Sequence, residues 1–253
     1  MQAQKQQPWF AEDGGPFKGD EPFYFNPDDY PWVKRVESQW QVIRDEMLAM
    51  LEREQQSLVP YANKGMVSRP DQWKTFGMMF WTFRSKKNCD MCPKTWAILK
   101  DIPNITAASF NLLEAQTTIK PHHGDTNAII RCHMGLVVPA SAPKCGFRVG
   151  TETRSWEEGK FMMFCDAHEH TAWNNTNEKR YILVVDIMRP EYVNKVNYTA
   201  SRVLASINLA VAYQNVAWLK RFFSGKRGKP FLFSLFRMFT RAALVTRVPY
   251  WEK

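Results

Sequence analysis

Cysteine and histidine are scarce in this chain of 253 residues, with five of each. The cysteine number is odd and most of the cysteines lie within apolar runs. Such a pattern indicates reduced thiols in a cytosolic protein rather than a disulfide framework. Cys89 and Cys92 have C-x-x-C spacing, but no second pair accompanies them. We therefore expect packing rather than redox chemistry or zinc binding at this pair.

Long apolar runs are also missing. The first 15 residues, MQAQKQQPWFAEDGG, contain no apolar segment of the kind found in secretory signals, and none is expected. Two runs near the C-terminus, residues 203–219 and 230–244, are shorter than the roughly 20 residues that span a bilayer. A hydrophobic content of 45% with 14% aromatic residues excludes a disordered protein.

The positive charge is concentrated at one end of the chain. The net charge is +9, and residues 220–253 contribute +8 of it, with nine Lys/Arg and one Glu. The remaining 219 residues carry only +1, so the charge says little about the ligand of the main domain, and no nucleic-acid partner is expected. In residues 230–244, Ser234, Arg237 and Arg241 follow one side and apolar residues surround the rest, as in interfacial helices.

We expect this tail to contact an anionic membrane surface, because each basic residue near such a surface contributes about 1 kcal/mol. The alternative is that both C-terminal helices pack on the main domain. The expected location is cytoplasmic, peripheral on the inner face of a membrane.

Periodicity divides the chain into three parts. Residues 1–20 are polar and are expected to be flexible. Residues 21–200 are expected to form the main domain, which begins with helices: apolar residues recur every three or four positions between Val33 and Leu51, with Asp28 or Asp29 as a cap. From Ile105 onward, short segments rich in β-branched and aromatic residues alternate with turns, which favours a β-sandwich or barrel. Residues 201–253 are expected to form a helical, basic tail.

One predicted strand, AIIRCHMGL, carries charge on a single face. Alternation places Arg131 and His133 on the same side as Ile129 and Gly135, while the other side is an ordinary core face. A buried arginine needs an anionic partner, and the nearby sequence offers few fixed acids, so an anionic ligand is predicted. A surface face with incidental charge is the alternative.

A second region repeats this combination of a histidine and an arginine, since His170 ends one predicted strand and Arg180 begins the next.

Several linked motifs occur in the order and at the spacing of a known family, including KPHHGDTN, RCHMGLVVP, RSWEEGKFMMF, DAHEHTAWNN and RYILVVDIMRPE. On these motifs, residues from about 111 to 190 resemble the aspartyl/asparaginyl β-hydroxylases, which are iron(II)- and 2-oxoglutarate-dependent dioxygenases.

The resemblance implies a mainly β fold: a double-stranded β-helix, or jelly roll, with N-terminal helices and a basic helical C-terminal extension. It implies that His122 and His170 bind the catalytic Fe(II) between the two sheets. Arg180 would pair with the distal carboxylate of 2-oxoglutarate. His133 and Arg131 would lie at the other end of this cosubstrate, and Asn111 stands where relatives carry a serine that helps to hold it.

The carboxylate position of the metal motif holds Gly124, as in the protein-hydroxylating relatives, where water completes the coordination. Asp125 is one position out of phase, so we expect it to contact substrate or orient a loop rather than bind iron. Ile129 and His168 are the other candidates for substrate contact. The protein-hydroxylating relatives have an arginine at the place of Ile129, and an isoleucine suits an apolar substrate.

The resemblance therefore implies O2-dependent hydroxylation of an unactivated C–H bond, with succinate and carbon dioxide as coproducts. The preferred substrate is an acyl chain of a membrane lipid. The alternatives are an Asp/Asn-type residue in a peptide or small metabolite, halogenation made possible by the vacant carboxylate position, a jelly-roll protein that senses 2-oxoglutarate or lipid without catalysis, and simple packing of all these residues.

Overall fold

The strands of the domain form two sheets. The computed structural model describes residues 7–246, and the outer ends of the predicted flexible N-terminus and basic tail, residues 1–6 and 247–253, lie outside the described residues. The strands are β1 (Tyr24–Phe25), β2 (Val59–Pro60), β3 (Trp73–Phe80), β4 (Phe83–Arg84), β5 (Ile105–Leu113), β6 (Thr117–His122), β7 (Ile129–Val137), β8 (Cys145–Val149), β9 (Glu152–Arg154), β10 (Phe161–Cys165), β11 (His170–Asn174) and β12 (Arg180–Met188).

From β5 onward the chain passes back and forth between the two sheets, except that β8 and β9 are consecutive strands of the same sheet. The major sheet has the order β1-β10-β7-β12-β5-β3-β2, with β4 paired to β3, and the minor sheet has the order β6-β11-β8-β9. The pairings within both sheets are antiparallel. This alternation is that of a jelly roll. The predicted double-stranded β-helix with flanking helices is therefore confirmed, and the strand β3 before residue 105 adds to the major sheet.

The two faces of β7 enter different cores, as the period-2 pattern predicts. Cys132 and Met134 contribute to a cluster between the major sheet and the N-terminal helices. His133 instead contacts the rings of Phe147 and Phe164, which belong to the cluster between the two sheets. The face of β7 that carries His133 therefore points into the interior of the jelly roll.

Helices cover the outer face of the major sheet. They are α1 (Trp32–Glu37), α2 (Trp40–Arg53), α3 (Lys86–Met91) and α4 (Pro93–Leu99). The periodic segment predicted as one helix is thus divided at residues 38–39. Asp28 and Asp29 do not cap it, because both lie in a short 3₁₀ turn whose cap is Asn26.

The C-terminal part of the described chain is helical, with α5 (Val196–Asn215), α6 (Ala217–Phe223) and α7 (Gly228–Thr246). α5 crosses the predicted domain boundary at residue 200, and Ala200 and Val203 pack with Phe10 and Ile129 in a third apolar cluster. Phe10 is only 1% exposed, so this part of the segment expected to be flexible is packed. The boundaries at residues 20 and 200 stay predictions.

All five cysteines are buried free thiols. Cys89 and Cys92 lie in the cluster beneath the N-terminal helices, and burial raises the pKa values of their thiols to about 11 and about 12. Such thiols are unreactive near neutral pH, as the packing interpretation expects.

Within residues 7–246, none of the helices has the length and apolarity that crossing a membrane requires.

Candidate active site

Two histidines meet where β6 ends and β11 begins. Antiparallel pairing places His122 directly opposite His170, with 4.2 Å between their ring centroids. The Nδ1 atom of each ring lies 2.8 Å from a backbone carbonyl oxygen two residues earlier, that of Lys120 and that of His168. A carbonyl oxygen can only accept, so Nδ1 carries the hydrogen and Nε2 is left with a free lone pair.

Burial also favours the neutral form of both rings. It lowers the pKa of His122, and it lowers the pKa of His170 well below the usual value. Neutral imidazoles oriented by backbone carbonyls are the donors that metal sites use. Within residues 7–246 there is no group of three or more His, Cys, Asp or Glu side chains suited to a metal. The donor set that fits a metal here is therefore this pair of Nε2 atoms.

A buried carboxylate that the sequence analysis missed lies beside the pair. Asp166 is 1% exposed, and its Oδ1 lies 3.6 Å from Nε2 of His170 and 2.6 Å from Nη1 of Arg131. Burial raises the pKa of Asp166, while the Arg131 guanidinium opposes this rise. The signal in the sequence was a carboxylate four residues before the second histidine, in DAHEH.

Gly124 is in contact with this aspartate. The Gly124 amide donates to the Asp166 carbonyl oxygen at 2.7 Å. A Cβ atom on residue 124 would lie 2.6 Å from that oxygen and still closer to the carboxylate of Asp166. Position 124 therefore has no room for a side chain, because a carboxylate from another strand end already fills the space.

Arg131 has its anionic partners within the protein, in acids distant in sequence, where an anionic ligand was predicted because the nearby sequence offers few acids. Its Nε and Nη2 atoms contact the two carboxylate oxygens of Asp186, each at 2.8 Å, and Nη1 contacts Asp166. Asp186 lies opposite Arg131 in the pairing of β12 with β7, 55 residues away in the chain. Arg131 is thus satisfied by the protein, and sequence proximity could not reveal its partners.

Arg180 has the opposite environment. It is 2% exposed, and among the described residues no carboxylate forms an ion pair with it. Its guanidinium lies 4.5 Å over the ring of Trp156, and its Nε atom has no hydrogen-bond partner. Burial lowers the pKa of Arg180 to about 10, so the group remains a cation at neutral pH.

Among the described residues, two further buried nitrogen atoms near Arg180 have no hydrogen-bond partner, Nδ1 of His133 and Nε1 of Trp156. Their rings lie 6.3 Å apart, and Phe164 contacts both His133 and His170. A continuous set of ring contacts therefore joins the histidine pair to the unpaired arginine. Trp156 was not among the predicted site residues, although its motif RSWEEGK was noted.

Asn111 is 6% exposed and already bonded within the protein. Its Oδ1 accepts from Trp73 Nε1 at 3.1 Å, and its Nδ2 donates to Ser109 Oγ at 2.8 Å. One amide hydrogen remains for a ligand. The predicted role of Asn111 stays a prediction.

The three predicted substrate contacts lie beneath or beside the N-terminal segment. Ile129 is 1% exposed and packs with Phe10. The His168 ring lies between two phenylalanine rings, and its Nε2 is 2.8 Å from the Glu21 carbonyl oxygen. Asp125 accepts from the Ala11 amide through its backbone carbonyl at 3.0 Å. Their contact with substrate stays a prediction.

The chain is similar to two named hydroxylases. The ornithine lipid ester-linked acyl 2-hydroxylase of Rhizobium tropici is 35% identical over 177 residues, which are 68% of this chain and 62% of that protein. The human aspartyl/asparaginyl beta-hydroxylase is 33% identical over 164 residues, which are 63% of this chain and 21% of that protein. The match thus spans less than two thirds of either relative.

Among solved structures, a Pseudomonas putida prolyl-4-hydroxylase has a TM-score of 0.45 at 10% identity, over 62% of this chain and 98% of that one. The viral collagen prolyl hydroxylase of Paramecium Bursaria Chlorella virus-1, in a 2OG complex, has a TM-score of 0.37 at 9% identity, over 60% of this chain and 90% of that one. The model of one protein family, aspartyl/asparaginyl beta-hydroxylase, matches residues 37–190. The chain belongs to this family.

Proposed function

We propose that the protein is an iron(II)- and 2-oxoglutarate-dependent hydroxylase of an unactivated C–H bond. One observation carries the proposal: within residues 7–246, Arg180 is a buried cation without a counter-ion, and ring contacts join it to a pair of neutral histidines. An uncompensated buried charge is costly. A dicarboxylate that binds a metal at one end and Arg180 at the other would remove this cost.

Each polar group of the site has a role in this proposal. His122 and His170 would hold Fe(II) through their Nε2 atoms, and Arg180 would bind the distal carboxylate of 2-oxoglutarate through a two-pronged contact. Trp156 would donate its unpartnered Nε1–H to the cosubstrate, and His133 would donate as well in the tautomer that carries the hydrogen on Nδ1. When bound, iron supplies the activation of O2 that hydroxylation requires, with succinate and carbon dioxide as coproducts.

We propose that Asp166 supplies a carboxylate beside the histidine pair, in the space next to Gly124, without being a third donor to the metal. The proposal is supported by the volume that Asp166 occupies against Gly124 and by its position beside His170. Arg131 is then a positioning residue, because it holds Asp166 in place and its Nε, Nη1 and Nη2 atoms already donate to Asp166 and Asp186. This assignment departs from the expectation that Arg131 contacts the cosubstrate.

For the substrate, we propose an acyl chain of a membrane lipid, met by a cytoplasmic enzyme at the inner face of a membrane. The 35% identity to an ornithine lipid acyl hydroxylase supports this class. Ile129 also supports a lipid substrate, because it is apolar at the position where the protein-hydroxylating relatives carry an arginine. Hydroxylation of an Asp/Asn-type residue is the second candidate, because of the 33% identity to the human β-hydroxylase.

Assays with acyl lipids in mixed micelles and with Asp/Asn-containing peptides separate these two classes. We expect substrate-dependent succinate release with the lipids. Turnover of the peptides alone would exclude the lipid proposal. Dependence of turnover on chloride would favour halogenation, and binding of 2-oxoglutarate without any succinate release would favour a sensor.

His122→Ala and His170→Ala should each abolish the weak visible absorption band that appears when Fe(II) and 2-oxoglutarate are titrated anaerobically into the protein. The reason is that a single remaining imidazole holds the metal too weakly. His123→Ala is the matched control, since its Nδ1 contacts the Ala167 carbonyl oxygen and it is out of phase with His122. A band of unchanged intensity in either test variant would disprove the metal assignment.

Arg180→Met should weaken 2-oxoglutarate binding by about 100-fold or more, because a buried charged pair would lose one partner. The free energy of unfolding of the Arg180→Met variant, measured without ligand, should stay the same or rise, since the substitution removes an unpaired buried cation. Trp156→Phe keeps a ring under Arg180 but loses the N–H, and should weaken binding about tenfold.

Calorimetric titration with 2-oxoglutarate under anaerobic conditions and chemical denaturation measure these two quantities. A large loss of stability in Arg180→Met, with binding affected only in proportion to the unfolded fraction, would mean that Arg180 is structural.

Gly124→Ala should lower the free energy of unfolding by about 2 kcal/mol or more, because its Cβ overlaps the Asp166 backbone and side chain. It should also weaken Fe(II) binding, because displacement of Asp166 disturbs its contact with the metal-binding His170. Gly77→Ala is the matched control, since a Cβ there meets nothing within 4 Å. Equal denaturation midpoints for the two variants would contradict the proposed filling of the site by Asp166.

A further inference from the structure

The α7 helix exposes an apolar face to solvent. Five exposed apolar residues, spaced four, three, one and six positions apart, fall on one side of a helix with 3.6 residues per turn. They form what we call the α7 stripe: Phe231, Leu235, Met238, Phe239 and Val245. Phe231, Met238, Phe239 and Val245 are between 58% and 69% exposed.

The opposite side of α7 is already used for packing. Leu232 and Leu244 are buried, and the Thr240 hydroxyl donates to the Ser201 carbonyl oxygen of α5 at 3.1 Å. The helix is therefore attached to the domain through one side, and the α7 stripe points away from it. Packing on the domain, the alternative for this helix, accounts for only one of its two apolar sides.

The surroundings of the α7 stripe are strongly basic. Residues 217–246 contain seven Lys/Arg and no Asp or Glu. Five of the seven lie in the segment KRFFSGKRGK (220–229), which includes the end of α6, the connection and the start of α7. Beside them, Trp218 and Phe222 of α6 are 58% and 70% exposed. Bulky apolar side chains edged by basic residues without acids match the interface of an anionic bilayer, where rings enter the acyl boundary and cations meet phosphates.

We propose that the α7 stripe, together with the basic segment 220–229, docks the protein on the surface of an anionic phospholipid membrane. The helix lies in the interface, since it does not combine the length and the apolarity that crossing a membrane requires. A second copy of the chain is a poor occupant, because two such surfaces would bring their positive charges together. The purpose of this contact, access to an acyl chain, rests on the proposed function, but the contact itself does not.

The test is co-sedimentation of the full chain with vesicles of phosphatidylcholine, with and without phosphatidylglycerol. The unmodified protein should bind the anionic vesicles and bind neutral ones weakly. Replacing Lys226, Arg227 and Lys229 together with Gln should weaken binding to anionic vesicles roughly 100-fold. Replacing Phe231, Met238 and Phe239 together with Ser should weaken it about 10- to 100-fold.

Phe80→Ser is the matched control, because Phe80 is 50% exposed on β3, outside this surface. It should bind vesicles like the unmodified chain. Equal binding by the stripe variant, or equal binding to neutral and anionic vesicles, would overturn the proposal. A dimer seen by light scattering without lipid, and lost in the stripe variant, would identify a second copy as the occupant and also overturn it.

Calorimetric binding of 2-oxoglutarate separates this inference from the proposed function. The stripe variant should retain the affinity of the unmodified chain. Loss of vesicle binding with intact cosubstrate binding is the expected result. Vesicle binding by a chain that binds no 2-oxoglutarate would leave the docking surface standing and would refute the proposed chemistry.

Discussion

The ion-paired contact of Arg131 with Asp166 and Asp186 determines the arrangement of the candidate metal centre. Asp186 is on the neighbouring strand and contacts Arg131 through both oxygens, which fixes the plane of the guanidinium. The remaining nitrogen then holds Asp166 at 2.6 Å. Bidentate contacts of this kind add geometric specificity to their energy. Without Arg131, the two carboxylates would repel each other within a buried space.

The two buried arginines of the jelly roll show how charge balance separates structure from binding. Arg131 is matched by two carboxylates of the protein, whereas Arg180 is matched by none among residues 7–246. Buried polar groups in proteins are normally satisfied, so the cost of leaving Arg180 unpaired must be offset elsewhere. The aromatic face of Trp156 offsets part of it. In the function proposed above, an anionic ligand would account for the rest, and Arg180 rather than Arg131 would mark the binding end of the site.

The sequence predicted those features that depend on local pattern. Segment 105–113 is a strand over its whole length, and β7 presents His133 and Met134 to opposite cores as alternation requires. Groups that depend on tertiary pairing could not be predicted in this way. The partners of Arg131, Asp166 and Asp186, lie 35 and 55 residues away in the chain.

The same limit applies before residue 105. β3 joins the major sheet through pairing with β5, but its mixed apolar sequence has no clear alternation. For the α7 helix, the sequence located the basic side. It could not tell which apolar side α5 would cover, because that depends on how the two helices pack.

The glycine in HHGD is explained by the position of Asp166 next to residue 124. A side chain at position 124 and the carboxylate of Asp166 would occupy the same volume, and the Asp166 backbone closes the space further. A carboxylate can therefore come to this centre from residue 124 or from residue 166, but not from both. Since Arg131 holds Asp166 in place, the carboxylate in this jelly roll comes from residue 166. Restoring the motif by Gly124→Asp alone would then disrupt the site, because the space becomes available only if Asp166 and its contact with Arg131 are also removed.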